Sequence, residues 1–194
     1  MIRYELSRGL AYRSIKHRDM HWYTTTVPLA LTLVASASIL LLPNPPPLLG
    51  KDGLVASSLS VLSTLPGFFF AGLAAVATFN GMNMDAEMPA PAPTVRVQVG
   101  GTSSVISLSR RQFLSYLFSY LVLISFALCV ASLALSAVTP TLLELKSGIL
   151  ANGHYAFWFT VRALGVMSYL AVASSVLVTT LHGMFFLTER IHQP

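Results

Sequence analysis

The sequence predicts an all-α integral membrane protein with four transmembrane helices, both termini cytoplasmic, and a small cytoplasmic β-hairpin between helices 2 and 3. Three observations carry this prediction. Of 194 residues, 54% are hydrophobic and 10% charged, with a mean hydropathy of +0.68; a soluble domain carries about a quarter charged residues. Four apolar runs, 23–42, 54–79, 113–138 and 157–187, reach the ~20 residues that a bilayer crossing needs. The cations are divided unevenly among the loops. Arg3, Arg8, Arg13, Lys16, Arg18, Arg96, Arg110, Arg111 and Arg190 fall on one side, and only Lys51 and Lys146 on the other. Short loops rich in Lys and Arg stay in the cytoplasm, so this asymmetry places residues 1–22, 80–112 and 188–194 inside.

Residues 1–22, "MIRYELSRGLAYRSIKHRDMHW", form a basic juxtamembrane segment. Its cations fall all around a helical wheel, so it is not an amphipathic helix. The expectation is contact with anionic headgroups through Arg13, Lys16 and Arg18. The following run continues through Leu42, past the small residues of "VASAS", and reads as an uncleaved anchor. Trp22 and Tyr23 mark its inner boundary, as Tyr155 and Trp158 mark the outer boundary of helix 4.

Helices 1 and 2 (23–79) are joined by the stiff, proline-rich "PNPPPLLGKDG". Pro66 removes a backbone donor inside helix 2 and predicts a kink. In lipid, helices associate where small residues let backbones approach. Helix 2 carries Ser63, Gly67, Ala71 and Ala75 at four-residue spacing, and helix 4 carries Ala171, Ser175, Thr179 and Gly183. Helix 3 adds Ser115, Ser119, Ala127 and Ala131. Three stripes exceed what one protomer needs, so a homo-oligomer is expected.

The loop 80–112 is the longest polar stretch between helices. Prolines at 89, 91 and 93 exclude a helix there. "TVRVQV" then alternates at period two, Gly100-Gly101 suits a two-residue turn, and "TSSVISL" returns as a second strand. An isolated hairpin is marginal in water, so its valine face needs a cover: its own neighbours in an oligomer, the basic N-terminal segment, or another protein. Val95, Arg96, Val97, Gln98 and Val99 are therefore the candidate docking residues for a soluble cytoplasmic partner. Ser109 and Gln112 have capping-box spacing ahead of helix 3, with Arg110 and Arg111 expected at the headgroups.

Helices 3 and 4 (113–187) are expected to be joined by an outer loop with one interfacial turn, started by a Thr141/Glu144 capping box and stopped at Gly148. Cys129 reads as packing. Arg162 is expected to snorkel outward, with Glu144 as a possible partner, and His182 to be a satisfied packing residue.

Enzyme signals are poor: the chain has no G-x-S-x-G, no H-E-x-x-H and no phosphate loop. No acidic residue lies deep in a predicted span, as intramembrane catalysis or proton coupling requires. Met82, Met84 and Met88, beside Asp85 and Glu87 but without cysteine or histidine, do not make a soft-metal site. No catalytic residue, cofactor or metal is expected. The net charge of +5 follows from the positive-inside bias and does not call for nucleic acid.

The reading is a non-enzymatic, oligomeric inner-membrane protein that anchors, senses for or regulates a cytoplasmic partner. The alternative is a small oligomeric pore lined by hydroxyls such as Ser57, Ser58, Ser60, Ser63 and Thr64. In its four spans, inside termini, basic "SRRQFLSYLFSYL" stretch and cytosolic loop, the chain resembles the small four-span membrane subunits of bacterial anti-phage defence systems, such as the Kiwa membrane component. That resemblance implies sensing of infection at the bacterial inner membrane and an effector in the cytosol.

Overall fold

The computed structural model describes residues 8–43, 45–78, 84–99 and 102–190, less the side chains of residues 98, 99, 102 and 190. The predicted Gly100-Gly101 turn, Met82 and Arg3 lie outside the described residues. Four helices are long and apolar enough to cross a membrane: Trp22–Leu40 (α1), Leu54–Thr78, Arg110–Ala151 (α4) and Tyr155–Glu189. The second is divided into α2 (Leu54–Leu62) and α3 (Leu65–Thr78). The fourth is α-helical over Tyr155–Phe185 (α5) and ends in a wider π turn. Strands β1 (Thr94–Val99) and β2 (Thr102–Ser107) form one antiparallel hairpin between α3 and α4.

Helix α4 is the axis of the bundle: α2, α3 and α5 pack on it, and α1 packs on α5. Large side chains point outward over most of the helical surface, including Phe68, Phe70, Phe126 and Phe157. So extensive an apolar exterior is unusual for a soluble monomer and suits lipid. The deepest core lies at the hairpin end, where Leu108, Leu114, Leu117, Leu121 and Tyr12 are almost wholly enclosed.

The break in the second span has the cause the sequence indicates. Pro66 has no N–H to give the carbonyl of Leu62. Thr64 N–H instead closes a tighter turn onto Val61 O (3.2 Å), and regular winding resumes with Phe68 N–H to Thr64 O (3.3 Å). The Ser109/Gln112 capping box is present in both directions: Gln112 N–H donates to Ser109 Oγ at 3.3 Å, and Ser109 N–H to Gln112 Oε1 at 3.1 Å.

The outer loop between the third and fourth spans differs from expectation. Helix α4 runs unbroken for 42 residues, about 63 Å at the usual rise and twice a ~30 Å hydrocarbon core. Thr141, Glu144 and Gly148 all lie inside it. A capping box needs a free helix start, and here the preceding residues are already helical. Pro140 removes only its own donor. The helix stops at Asn152 and Gly153, where Gly153 takes a φ of +76° and its N–H bonds Leu150 O at 3.0 Å. The glycine that ends the helix is the one in the left-handed conformation.

Candidate functional site

The hairpin end assembles four pieces that are far apart in sequence: the segment before α1, the hairpin, the start of α4 and the end of α5. The segment before α1 does not lie free on the surface. A short 3-10 turn, Ala11–Ser14, turns Tyr12 inward, and Ile15 and Met20 follow it into the core. These three apolar residues, spaced through a basic stretch, are what hold it down. Lys16 then pairs with Thr94 as a short third strand: Lys16 N–H donates to Thr94 O at 2.8 Å, and Thr94 N–H to Lys16 O at 3.1 Å.

That pairing fixes the hairpin's hydrogen-bonding phase. Thr94 faces Ser107, Val95 faces Ile106, Arg96 faces Val105, Val97 faces Ser104, Gln98 faces Ser103 and Val99 faces Thr102. Because the N–H and C=O of Thr94 point to Lys16, away from β2, the pair Thr94/Ser107 is a non-hydrogen-bonded one. Alternation then directs the backbone groups of Arg96 outward from β1, and those of Ser103, Val105 and Ser107 outward from β2. The contact of Arg8 Nη1 with Arg96 O (3.3 Å) agrees with this phase.

The two edges of the hairpin therefore differ. Lys16 and Arg8 cover the β1 edge. Along β2, the Glu87/Ser109 bridge covers the helix-proximal end. Among the described residues, no backbone hydrogen bond reaches the outer edge from Ser103 to Ser107. Val105 is 62% exposed on that strand.

The predicted docking residues separate by face. Val95 is 1% exposed and belongs to the chain's own core, and Val97 packs partly against it. Arg96 is exposed on the opposite face. The side chains of Gln98 and Val99 lie outside the described residues. The cover that the valine face requires comes at its base from the chain's own leading segment.

The predicted headgroup cations divide as well. Arg13, Lys16 and Arg18 are exposed. Arg110 is 5% exposed and turned into protein. Arg111 pairs with Asp85, Nη2 donating to Oδ2 at 3.0 Å with Nε 2.8 Å from Oδ1, and its Nη1 reaches Ala77 O at 3.3 Å. It thereby ties the first turn of α4 to the end of α3.

Of the small-residue stripes, Ser175, Thr179 and Gly183 lie toward the bundle interior: Ser175 Oγ is 2.7 Å from the Tyr120 hydroxyl, and Thr179 and Gly183 are buried. Ala171, the outermost member, is exposed. Ser63, Gly67, Ala71 and Ala75 all face outward, and a Cβ on Gly67 would meet nothing within 4 Å. The inner face of α3 is instead Phe69, Gly72 and Val76, with Gly72 against Phe118.

At the centre of the assembly the Tyr12 hydroxyl lies 2.9 Å from His182 Nδ1. The imidazole stacks on Tyr23, with centroids 4.1 Å apart, and meets Phe113 edge-on. Tyr12 also packs on Tyr120 and Phe113. Burial, then the neighbouring Tyr120 and Tyr23, push the Tyr12 phenol above its ordinary range, so it stays protonated and its hydroxyl remains a hydrogen-bonding partner for the ring nitrogen. A small cavity of about 100 Å³ borders this cluster, lined in part by His17, Asp19, Tyr23 and His182. His17 and Asp19 approach only to 3.9 Å. Among the described residues no three His, Cys, Asp or Glu side chains group as metal ligands; Met84 and Met88 are buried in the apolar core.

No family model, no curated protein and no solved structure matches this chain. Its functional reading rests on the geometry above. Tyr12, Arg8 and Val105 are the residues that sequence reasoning passed over. The signal for Tyr12 was present in the apolar positions of the basic leader, whereas the exposure of Val105 depends on the strand phase that Lys16 sets.

Proposed function

We propose that the chain is a non-enzymatic multi-pass protein of the bacterial inner membrane, with both termini inside, that docks a cytoplasmic protein by strand addition to β2. The observation that supports this reading most is the asymmetry of the hairpin: among the described residues one edge is covered by the chain itself, while no backbone hydrogen bond reaches the other at Ser103 and Val105. An unpaired edge is a template for another strand, and natural proteins use such edges for peptide recognition. The partner supplies an extended segment, with the exposed Val105 and Arg96 offering one apolar and one cationic contact. In this reading the partner is a cytosolic effector, as the resemblance to anti-phage membrane subunits would imply. A homo-oligomer is part of the proposal, with the outward Ser63, Gly67, Ala71 and Ala75 face as its seam.

Val105→Pro tests the docking edge. Proline removes only the outward N–H of Val105, so the hairpin's own ladder keeps its bonds. Mild-detergent purification from the native host should yield a stoichiometric soluble protein with wild type and lose it with Val105→Pro. An unchanged complex with the variant would refute strand addition.

One observation favours the pore as a second reading: Ser57, Ser60, Ser63 and Thr64 all face outward on the second span. Ser60, Ser63 and Thr64 bond carbonyls of their own helix, which suits lipid as well as a lumen. Single-channel conductance of the purified oligomer in planar bilayers decides between them.

A further inference from the structure

The end of the bundle opposite the hairpin holds a cavity of about 900 Å³ between the outer halves of α4 and α5 and the 45–49 loop. This lies at the upper end of the usual range for small-molecule sites. Its walls are almost entirely apolar, with Leu128, Leu135, Val138, Val161 and Val172 among them. Two cations, Lys146 and Arg162, line it, and among the described residues no carboxylate does.

Each cation is held by the protein on one side. Arg162 Nη2 donates to Pro46 O at 3.0 Å, and the Lys146 ammonium sits 6.0 Å from the centre of the Trp158 ring. The partner of Arg162 is this loop carbonyl rather than Glu144, the possible partner in the sequence, and it holds the guanidinium beside the cavity. One carbonyl satisfies one of five guanidinium donors. Snorkelling alone explains a single arginine near a helix end, but not two cations on one apolar cavity. Both cations are half-exposed on the same cavity, and an anion between them is attracted by each.

The dimensions are those of a lipid chain. From Trp158 to Val172 the α5 wall runs about 21 Å at helical rise, enough to cross the ~15 Å of hydrocarbon in one leaflet and reach about 6 Å into its headgroup layer. At the deep end the Tyr169 hydroxyl contacts Ser58 and lies 3.5 Å from Ser132 Oγ, so its polarity is met within the protein and that end is left apolar.

We propose that this cavity binds an anionic phospholipid, with the headgroup phosphate between Arg162 and Lys146 and one acyl chain along the α4–α5 wall. Guanidinium and ammonium groups are the usual phosphate partners, the first through its fork and the second as a point charge. The inference needs the chain to reside in a membrane and is independent of any partner at β2.

The test uses Trp158, a cavity residue, as reporter. The chain has two tryptophans, and Trp22, 60% exposed at the other end, is replaced by Phe. The full-length protein is placed in phosphatidylcholine nanodiscs carrying a minor fraction of either brominated phosphatidylglycerol or brominated phosphatidylcholine. The expected result is several-fold stronger quenching of Trp158 by the brominated phosphatidylglycerol. Arg162→Gln combined with Lys146→Gln should bring the two lipids to equality. Should that variant fail to fold, Ala134→Phe fills the wall while keeping both cations, and should also abolish the preference. Equal quenching by the two lipids in the wild-type background overturns the proposal. So does a brominated fatty acid that quenches Trp158 and is not displaced by excess phosphatidylglycerol, because the anionic ligand is then a free carboxylate.

Discussion

The hydroxyl of Tyr12 and Nδ1 of His182 meet at 2.9 Å across 170 positions of sequence. The contact closes the hairpin end, because one residue precedes the first span and the other sits in the last turns of the fourth. Tyr23, at the start of α1, lies over the same imidazole, so the leading segment and the first span both meet His182. A basic leader of this kind is usually taken for a lipid-contacting tail. Here its apolar residues hold it in the core, and among the described residues of the segment Arg13, Lys16 and Arg18 are the exposed cations.

Replacing Tyr12 with Phe keeps the ring and removes the hydroxyl that meets His182 Nδ1. The expected cost is about 1–2 kcal/mol, read as a lowered Tm in detergent. The same variant should change the alkaline limit. Burial raises the folded phenol above its ordinary value of 10.0, so its contribution is complete below about pH 10 and is lost as pH rises further, by at most about 1.4 kcal/mol per pH unit. Tm measured between about pH 9 and about pH 11 should fall less steeply in Tyr12→Phe than in wild type. Parallel pH profiles would show that Tyr12 is not the group responsible.

Two glycines with the same sequence context should respond in opposite directions. A Cβ at Gly183 would stand 2.9 Å from Leu117 Cδ2, and Leu117 is fully enclosed. Gly183→Ala should therefore cost about 1–3 kcal/mol by overpacking. Gly67 has open space around its Cβ position, and Gly67→Ala should leave the monomer unchanged or add about 0.5–1 kcal/mol from reduced backbone entropy. Thermal unfolding of both variants in the same detergent checks the pair. A loss at Gly67 would mean that a second copy of the chain packs on that face.

The helix end opposite the hairpin offers a third test. Gly153→Ala forces a left-handed φ on a residue with a side chain, and should lower stability by about 1 kcal/mol. Gly148→Ala lies within α4 with nothing near it, and should be neutral or stabilising by a similar amount. If 141–147 were instead a separate turn ending at Gly148, the two effects would exchange places. Unfolding midpoints of the two variants distinguish the arrangements.

How much of this was legible beforehand follows from the range of each interaction. The four helices, the kink before Pro66, the Ser109/Gln112 box and the β1/β2 pairing depend on residues close in sequence, and the chain displays them. The wrong stop at Gly148 arose because capping-box spacing is not sufficient for a helix start: Thr141 and Glu144 have the spacing, but the helix arrives there already formed. Small-residue stripes were visible, but a four-residue repeat does not say which neighbour it meets. Thus Gly183 packs on Leu117 while Gly67 faces outward. Least legible was the hairpin face. Alternation identified Val95 and Val97 as apolar on one side, but their cover is Tyr12, Ile15 and their neighbours, brought from about 80 positions away by tertiary packing.

The tether that keeps the hairpin against the bundle is Arg8, and its removal is the fourth test. Its guanidinium donates to Arg96 O at 3.3 Å, bonds the Tyr116 hydroxyl, and lies 5.0 Å from the centre of the Tyr116 ring. One side chain thus joins β1 to α4. Arg8→Ala should loosen the strands while leaving the spans intact, because the deep core at Leu114 and Leu117 does not depend on it. Hydrogen exchange should therefore rise in peptides covering 94–107 and stay level in those covering 113–125. Arg8→Lys keeps the charge but loses the planar fork that serves two acceptors at once, so its exchange should fall between wild type and Ala. If Arg8→Lys matched wild type, charge alone would be holding the hairpin, and raised salt would then reproduce the Ala phenotype.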